Sequence, residues 1–189
     1  MSHLQDLLLH DNTLVRRATT QLLCNLVPSI AGEAFYRPPA PKDSATSTTK
    51  YKIPAPLHLL LILIASDDLP TRIAASGAVA TLCGQSMECS RAILLDDDEK
   101  RSEKNLAIVT ELLVAIALST GSAGDNPLVI RGLSISYSML FGLEQLIKEE
   151  KELGMRRLTK VDLRGKLESC TGAQVVREDC LKMLVALSK

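Results

Sequence analysis

The chain has 189 residues, 46% of them apolar, only 3% aromatic and none of them Trp. Lys plus Arg and Asp plus Glu balance at 22 each, so the chain lacks the basic footprint of a nucleic-acid binder. That length accommodates a single domain over residues 1–189, with packing left to Leu, Ile, Val and Ala.

Taken in order, residues 2–9 read as a short apolar helix. Residues 15–27 (VRRATTQLLCNLV) follow, with Asn12 or Thr13 as cap and Pro28 as stop. One more short turn is expected within 28–36. Residues 37–52 (RPPAPKDSATSTTKYK) hold three prolines and a Ser/Thr cluster, a composition too poor in apolar surface to offset ordering entropy, and read as a flexible insertion. Pro54 and Pro56 open a helix over 57–66. Asp67 and Asp68 cap the next, over 71–82. A short helix over 87–95 runs into Asp96, Asp97, Asp98 and Glu99. That acidic run reads as a solvated turn, since it lacks the Gly and bidentate Glu spacing of a calcium loop. Residues 105–119 are apolar nearly all round and predict a helix buried on both sides. Residues 121–126 read as a turn. A helix over 129–140 ends near Gly142. An amphipathic helix over 143–153 is expected to break at Gly154, before a charged helix over 155–169. There Arg156, Arg157 and Lys160, with Glu149, Glu150 and Glu152, read as an exposed charge-laced face. Thr171 and Gly172 separate this from a last helix over 176–187.

Four of these helices are one helix repeated. Val15, Ala18, Thr19, Leu22, Leu23 and Leu26 fall at i, i+3, i+4, i+7, i+8 and i+11, one face of an α-helix. The pattern returns in TRIAASGAVATL (71–82), VIRGLSISYSML (129–140) and VREDCLKMLVAL (176–187). Leu26, Leu82, Leu140 and Leu187 share the last core slot. Leu23, Val79, Tyr137 and Leu184 share a large apolar slot. Ala18, Ala74 and Gly132 share a small one, which Asp179 breaks. Arg16, Arg72, Ile130 and Arg177 begin the copies at intervals of 56, 58 and 47 residues. Armadillo and HEAT units run about 40–47 residues, so the longer intervals call for insertions. The fold expected is all-α, an armadillo/HEAT-like right-handed helical superhelix (an α-solenoid) of about four partial repeats.

These blocks, in this order and register, resemble the end of the UCS domain, the armadillo-type domain of the myosin-directed chaperones. The resemblance covers most of the chain apart from about 37–52. Thr19 departs from it, standing where the family usually has a second alanine. It implies a non-enzymatic module that binds the myosin motor domain and assists its folding. Family members with a tetratricopeptide module dock a heat-shock chaperone through it. No such module precedes the repeats here, so that partner is not implied. The alternative is a generic armadillo adaptor holding an extended peptide of another protein.

Enzyme signatures are missing. His3, His10 and His58 lie in separate elements without H-x-x-x-H spacing, and no G-x-S-x-G, Walker loop or G-x-G-x-x-G occurs. No cofactor or metal is expected. Five widely spaced cysteines without C-x-x-C read as reduced core residues of a cytosolic protein. The longest apolar run, 59–65, is far below the roughly 20 residues of a membrane span, so no membrane partner is expected. The start of the chain lacks the basic segment of a signal peptide, which leaves a cytoplasmic location as the expectation.

The candidate binding residues flank the apolar face. Arg17, Gln21 and Asn25 fall at i, i+4 and i+8, a polar stripe that lines the concave groove if armadillo geometry holds. Asn suits an extended partner because its amide both donates and accepts. Corresponding slots are Ile73, Gly77 and Thr81, then Arg131, Ile135 and Met139, then Glu178, Lys182 and Ala186. The groove candidates are therefore Arg17, Gln21, Asn25, Thr81, Arg131, Ile135 and Lys182. The competing reading makes this stripe the wet face of each helix.

Overall fold

A computed structural model describes residues 2–27, 51–115 and 126–188. Four expectations fall outside them: the turn within 28–36, most of the insertion (37–50), the end of the 105–119 helix (116–119), and residues 121–125 of the following turn. The described residues are helical, without a strand, apart from one isolated bridge between Tyr51 and Asp96. The helices are α1 (Ser2–Leu8), α2 (Thr13–Leu26), α3 (Ala55–Ile64), α4 (Leu69–Gln85), α5 (Met87–Leu95), α6 (Glu99–Glu111), α7 (Pro127–Glu144), α8 (Lys148–Lys160), α9 (Leu163–Ser169) and α10 (Gln174–Leu187).

Short polar side chains start most of them by accepting an otherwise unpaired amide. Asn12 takes the Leu14 amide at 2.9 Å and Asp68 that of Thr71 at 3.0 Å. Asp98 takes Arg101 at 3.1 Å and Asn126 takes Leu128 at 3.0 Å. Asp162 does the same for Gly165 at 3.2 Å from a left-handed backbone (φ 51°).

The four repeated helices pack in sequence order: α4 lies against both α2 and α7, and α10 lies against α7. A second layer backs this ladder. Helix α3 packs on α4 and α6, while α5, α6 and a 3-10 turn (Leu112–Val114) pack on α7. Helix α8 covers α5 and α7, and α9 lies against α10. One apolar cluster runs through both layers, from Leu8 and Leu23 through Leu57, Leu60, Leu82 and Ile93 to Leu133, Leu158 and Leu184.

The expected core slots hold in the middle and shift in α7. Thr19, Ala75, Gly132 and Cys180 are the small buried positions, and Leu23, Val79, Ser136 and Leu184 the ones a turn later. Helix α7 therefore sits one residue earlier in register than its sequence match. Tyr137, assigned to the core, is 40% exposed. Gly132 is where the layers touch: a Cβ there would lie 2.8 Å from the Leu112 Cβ. In α2, Ala18, Leu22 and Leu26 are exposed although assigned to the core.

Other expectations are corrected. Helix α6 begins at Glu99, six residues before the apolar stretch, and gives way at Leu112 to the 3-10 turn, which ends at Val114. Gly154 does not break a helix. It lies buried inside α8, where a Cβ would meet Leu143 at 2.6 Å, so its missing side chain lets α8 close on α7. The acidic run is not all solvated. Asp96 is buried and takes both Nε (2.7 Å) and Nη2 (2.6 Å) of Arg101. Burial acts to raise its carboxyl, but the Arg101 and Asp98 hydrogen bonds outweigh that and hold it below the usual carboxylate range. Arg157 is buried as well, its Nη1 donating to the carbonyls of Leu94 and Asp96 at 3.0 Å each and to Ser102 Oγ at 3.1 Å. It bolts α8 to the α5–α6 turn. Arg156 remains exposed, and Lys160 reaches Glu99 at 3.0 Å and also Glu103. The last residues assigned to the insertion belong to the folded part: Tyr51 accepts the Asp97 amide through its carbonyl at 2.8 Å and packs on the core.

Candidate protein-binding face

The arginines that open the repeats have a structural task. Arg16 donates to the carbonyls of His10 (2.7 Å) and Asp11 (2.9 Å), Arg72 to that of Ile64 (3.1 Å), and Arg177 to that of Cys170 (2.8 Å). Each pins the start of a ladder helix to the end of the segment before it, satisfying carbonyls left open there. In the observed register the matching residue of α7 is Val129, so Arg131 is a different kind of arginine.

Arg17 is also spoken for. Its guanidinium grips Asp68 at 2.7 and 3.3 Å, while Asp68 also takes Thr71 Oγ1 at 2.6 Å. The Arg17 and Thr71 hydrogen bonds hold the Asp68 carboxyl well below the usual carboxylate range. Arg17 thus ties α2 to the cap of α4.

Gln21 and Asn25 are exposed on the next two turns of α2, with Gln21 Nε2 donating to Asn25 Oδ1 at 3.2 Å. On α4, Thr81 is half-buried and its hydroxyl donates to the Gly77 carbonyl at 3.0 Å. Arg131 crosses from α7 onto α4, where its Nη1 donates to the Ile73 carbonyl and its Cζ would lie 3.2 Å from a Cβ on Gly77. It reaches far enough to interact electrostatically with Cys24 of α2. Arg131 therefore brings together three ladder helices at one place on the surface. Lys182 is exposed on α10, beyond α7, and pairs with Asp179 at 3.1 Å.

Ile135 and Met139 are fully buried, so neither offers a side chain to a groove. The one-residue shift of α7 turns them inward and turns Ile130, Ser134, Tyr137 and Phe141 outward. These four fall at i, i+4, i+7 and i+11, a single stripe. Tyr137 and Phe141 stack in parallel, with centroids 6.5 Å apart and planes 7° apart, in a chain with only five Phe and Tyr residues. Sequence reading missed them because it aligned Gly132 with Ala18 and Ala74, and Leu140 with Leu26 and Leu82, one residue out of the observed register. Aligning Gly132 with the small residues Thr19, Ala75 and Cys180 would have found them.

The remaining chemistry is quiet. Among the described residues no group of three or more His, Cys, Asp or Glu side chains is placed to hold a metal. Burial pushes the Cys83 and Cys180 thiols up to about 12. No described helix is long and apolar enough to cross a membrane.

Comparison with known proteins finds Ring assembly protein 3 of Schizosaccharomyces pombe (strain 972 / ATCC 24843), 32% identical over 95 residues. The shared stretch is 50% of this chain and 12% of that protein, so the chain spans only a small part of its relative. No family model and no solved structure matches. The all-helical chain is thus a distant, partial homologue of Ring assembly protein 3, which supports its likeness to the UCS domain.

Proposed function

We propose that this chain is a non-enzymatic, cytoplasmic protein-binding module of the UCS type that holds the myosin motor domain and assists its folding. The similarity to Ring assembly protein 3 carries the reading. The ladder α2–α4–α7–α10 supports it, because consecutive packing of like helices is how armadillo-type repeats build a right-handed superhelix with an extended concave surface. The client meets the open sides of the ladder helices, at Gln21, Asn25, Thr81, Arg131 and the Tyr137–Phe141 stripe.

The test is a heated myosin motor domain with and without the full chain, followed by light scattering, beside direct binding by calorimetry. Suppressed scattering with saturable binding is expected. Binding without suppression would replace the chaperone reading with that of an adaptor. Neither effect, from a folded chain, would end both.

A further inference from the structure

Arg131 is half-buried and under-used. Its Nη1 has one carbonyl partner, that of Ile73. A guanidinium has five N–H donors. No carboxylate among the described residues lies within ion-pair distance. The Cys24 thiol, its partner in the local electrostatics, is pushed up by burial and is neutral near pH 7. Desolvation pulls the guanidinium down from its ordinary value with little to oppose it. A charge taken partly out of water without a counter-charge gains from an arriving anion. The other arginines of the ladder starts differ: Arg16, Arg72 and Arg177 cap carbonyls, and Arg17 has Asp68. Gly77 gives up its side chain where Arg131 lies, and Gly84 faces open space. Tyr137 and Phe141 stand on α7 six and ten residues further on. Those steps are about 9 and 15 Å along the helix axis and about 120° and 80° around it, a path across the surface that about four to six residues of extended chain cover.

We propose that Arg131 receives a carboxylate of the bound protein, from an extended segment that also lays an apolar side chain against Tyr137 and Phe141. The inference rests on the reading of this face as protein-binding and adds the chemistry of what it selects. Arginine pairs with carboxylates through parallel hydrogen bonds, and exposed aromatics serve as interface anchors. The segment recognised is acidic and apolar within a few residues. A purely basic segment would be turned away by the unpaired charge.

The experiment is an array of 12-residue peptides in which each Asp or Glu is paired with its Asn or Gln counterpart. It is probed with the full chain and with Arg131→Gln, Arg131→Lys and Arg131→Glu, each checked for folding by thermal melt. Wild type should prefer acidic over amide peptides by about tenfold to a hundredfold, the scale of a charge-assisted hydrogen bond. Arg131→Lys should keep the preference, Arg131→Gln lose it, and Arg131→Glu turn it toward Lys and Arg. Tyr137→Ser should lose the apolar preference alone. An unchanged acidic preference in folded Arg131→Gln, or none in wild type, overturns the proposal. If Arg131→Gln does not fold, the Arg131 Nε resonance of wild type decides: it should shift with an acidic peptide and not with its amide twin. Myosin motor domain measured in parallel separates the two readings. Acidic-peptide binding without motor-domain binding sinks the myosin client and leaves this inference. Motor-domain binding that Arg131→Gln does not weaken does the reverse.

Discussion

Helices α2 and α4 carry the same apolar spacing and end up differently. On α4, Ala74, Ala78 and Leu82 are buried, and α4 has a ladder helix on each side. On α2 the matching Ala18, Leu22 and Leu26 are exposed, with Leu22 at 54%, and α2 packs on only one ladder neighbour. A helical pattern says which side chains can be buried together. A neighbour decides whether they are. The two helices have different ladder neighbours, so equal spacing does not mean equal energy.

The largest expected effect breaks that comparison directly. Leu82→Ala and Leu140→Ala each empty a fully buried site and should cost about 2–5 kcal/mol. Leu22→Ala should cost less than about 0.5 kcal/mol, as at an ordinary surface position. Denaturant midpoints decide, and equal shifts would mean that Leu22 is covered as Leu82 is. Amide exchange sharpens the same point, since α2 should exchange faster than α4.

A second pair contrasts two glycines of the ladder. Gly132→Ala forces a Cβ to within 2.8 Å of the Leu112 Cβ and should cost about 1–3 kcal/mol. Gly84→Ala meets nothing within 4 Å at an exposed position in the last turn of α4 and should gain up to about 0.5–1 kcal/mol. Melting temperatures moving the same way for both would show the two glycines to be placed wrongly.

Next come two adjacent arginines of α8. Arg157→Met removes donors from the carbonyls of Leu94 and Asp96 and from Ser102, at about 1–3 kcal/mol. Arg156→Met, on the exposed side, should stay within about 0.5 kcal/mol. Comparable losses in thermal melts would mean that the buried bolt is not what joins α8 to the α5–α6 turn.

The smallest effect concerns the Arg17–Asp68 tie between α2 and α4. The folded-state carboxyl lies below its unfolded value of about 3.9. Its contribution is therefore full above that value and fades as pH falls through the folded pKa. Asp68→Asn should be less stable than wild type at pH 7, and the gap should narrow below about pH 4. A gap independent of pH would assign the effect to the cap alone.

Much of the architecture was legible locally. The 3.6-residue spacing located all four ladder helices, and Asn12 and Asp68 cap as single residues can, because caps and periodicity are settled within one or two turns. Of the groove candidates, Gln21 and Asn25 are exposed, while Ile135 is buried and Arg17 is a tie. The start of α6 was missed because its first turn, EKRSEK, is polar, although Asp98 is a readable cap. Contacts distant in sequence settled the rest. Asp96 and Arg157 look like surface charges until α8 folds across the α5–α6 turn and their hydrogen bonds replace water. Gly154 looks like a breaker until Leu143 needs its space. The outward face of α7 depended on Gly132 meeting Leu112, and that choice between adjacent residues buried Ile135 and exposed Tyr137. Adjacent residues on a helix differ by about 100°, so local pattern leaves such a choice to the packing partner.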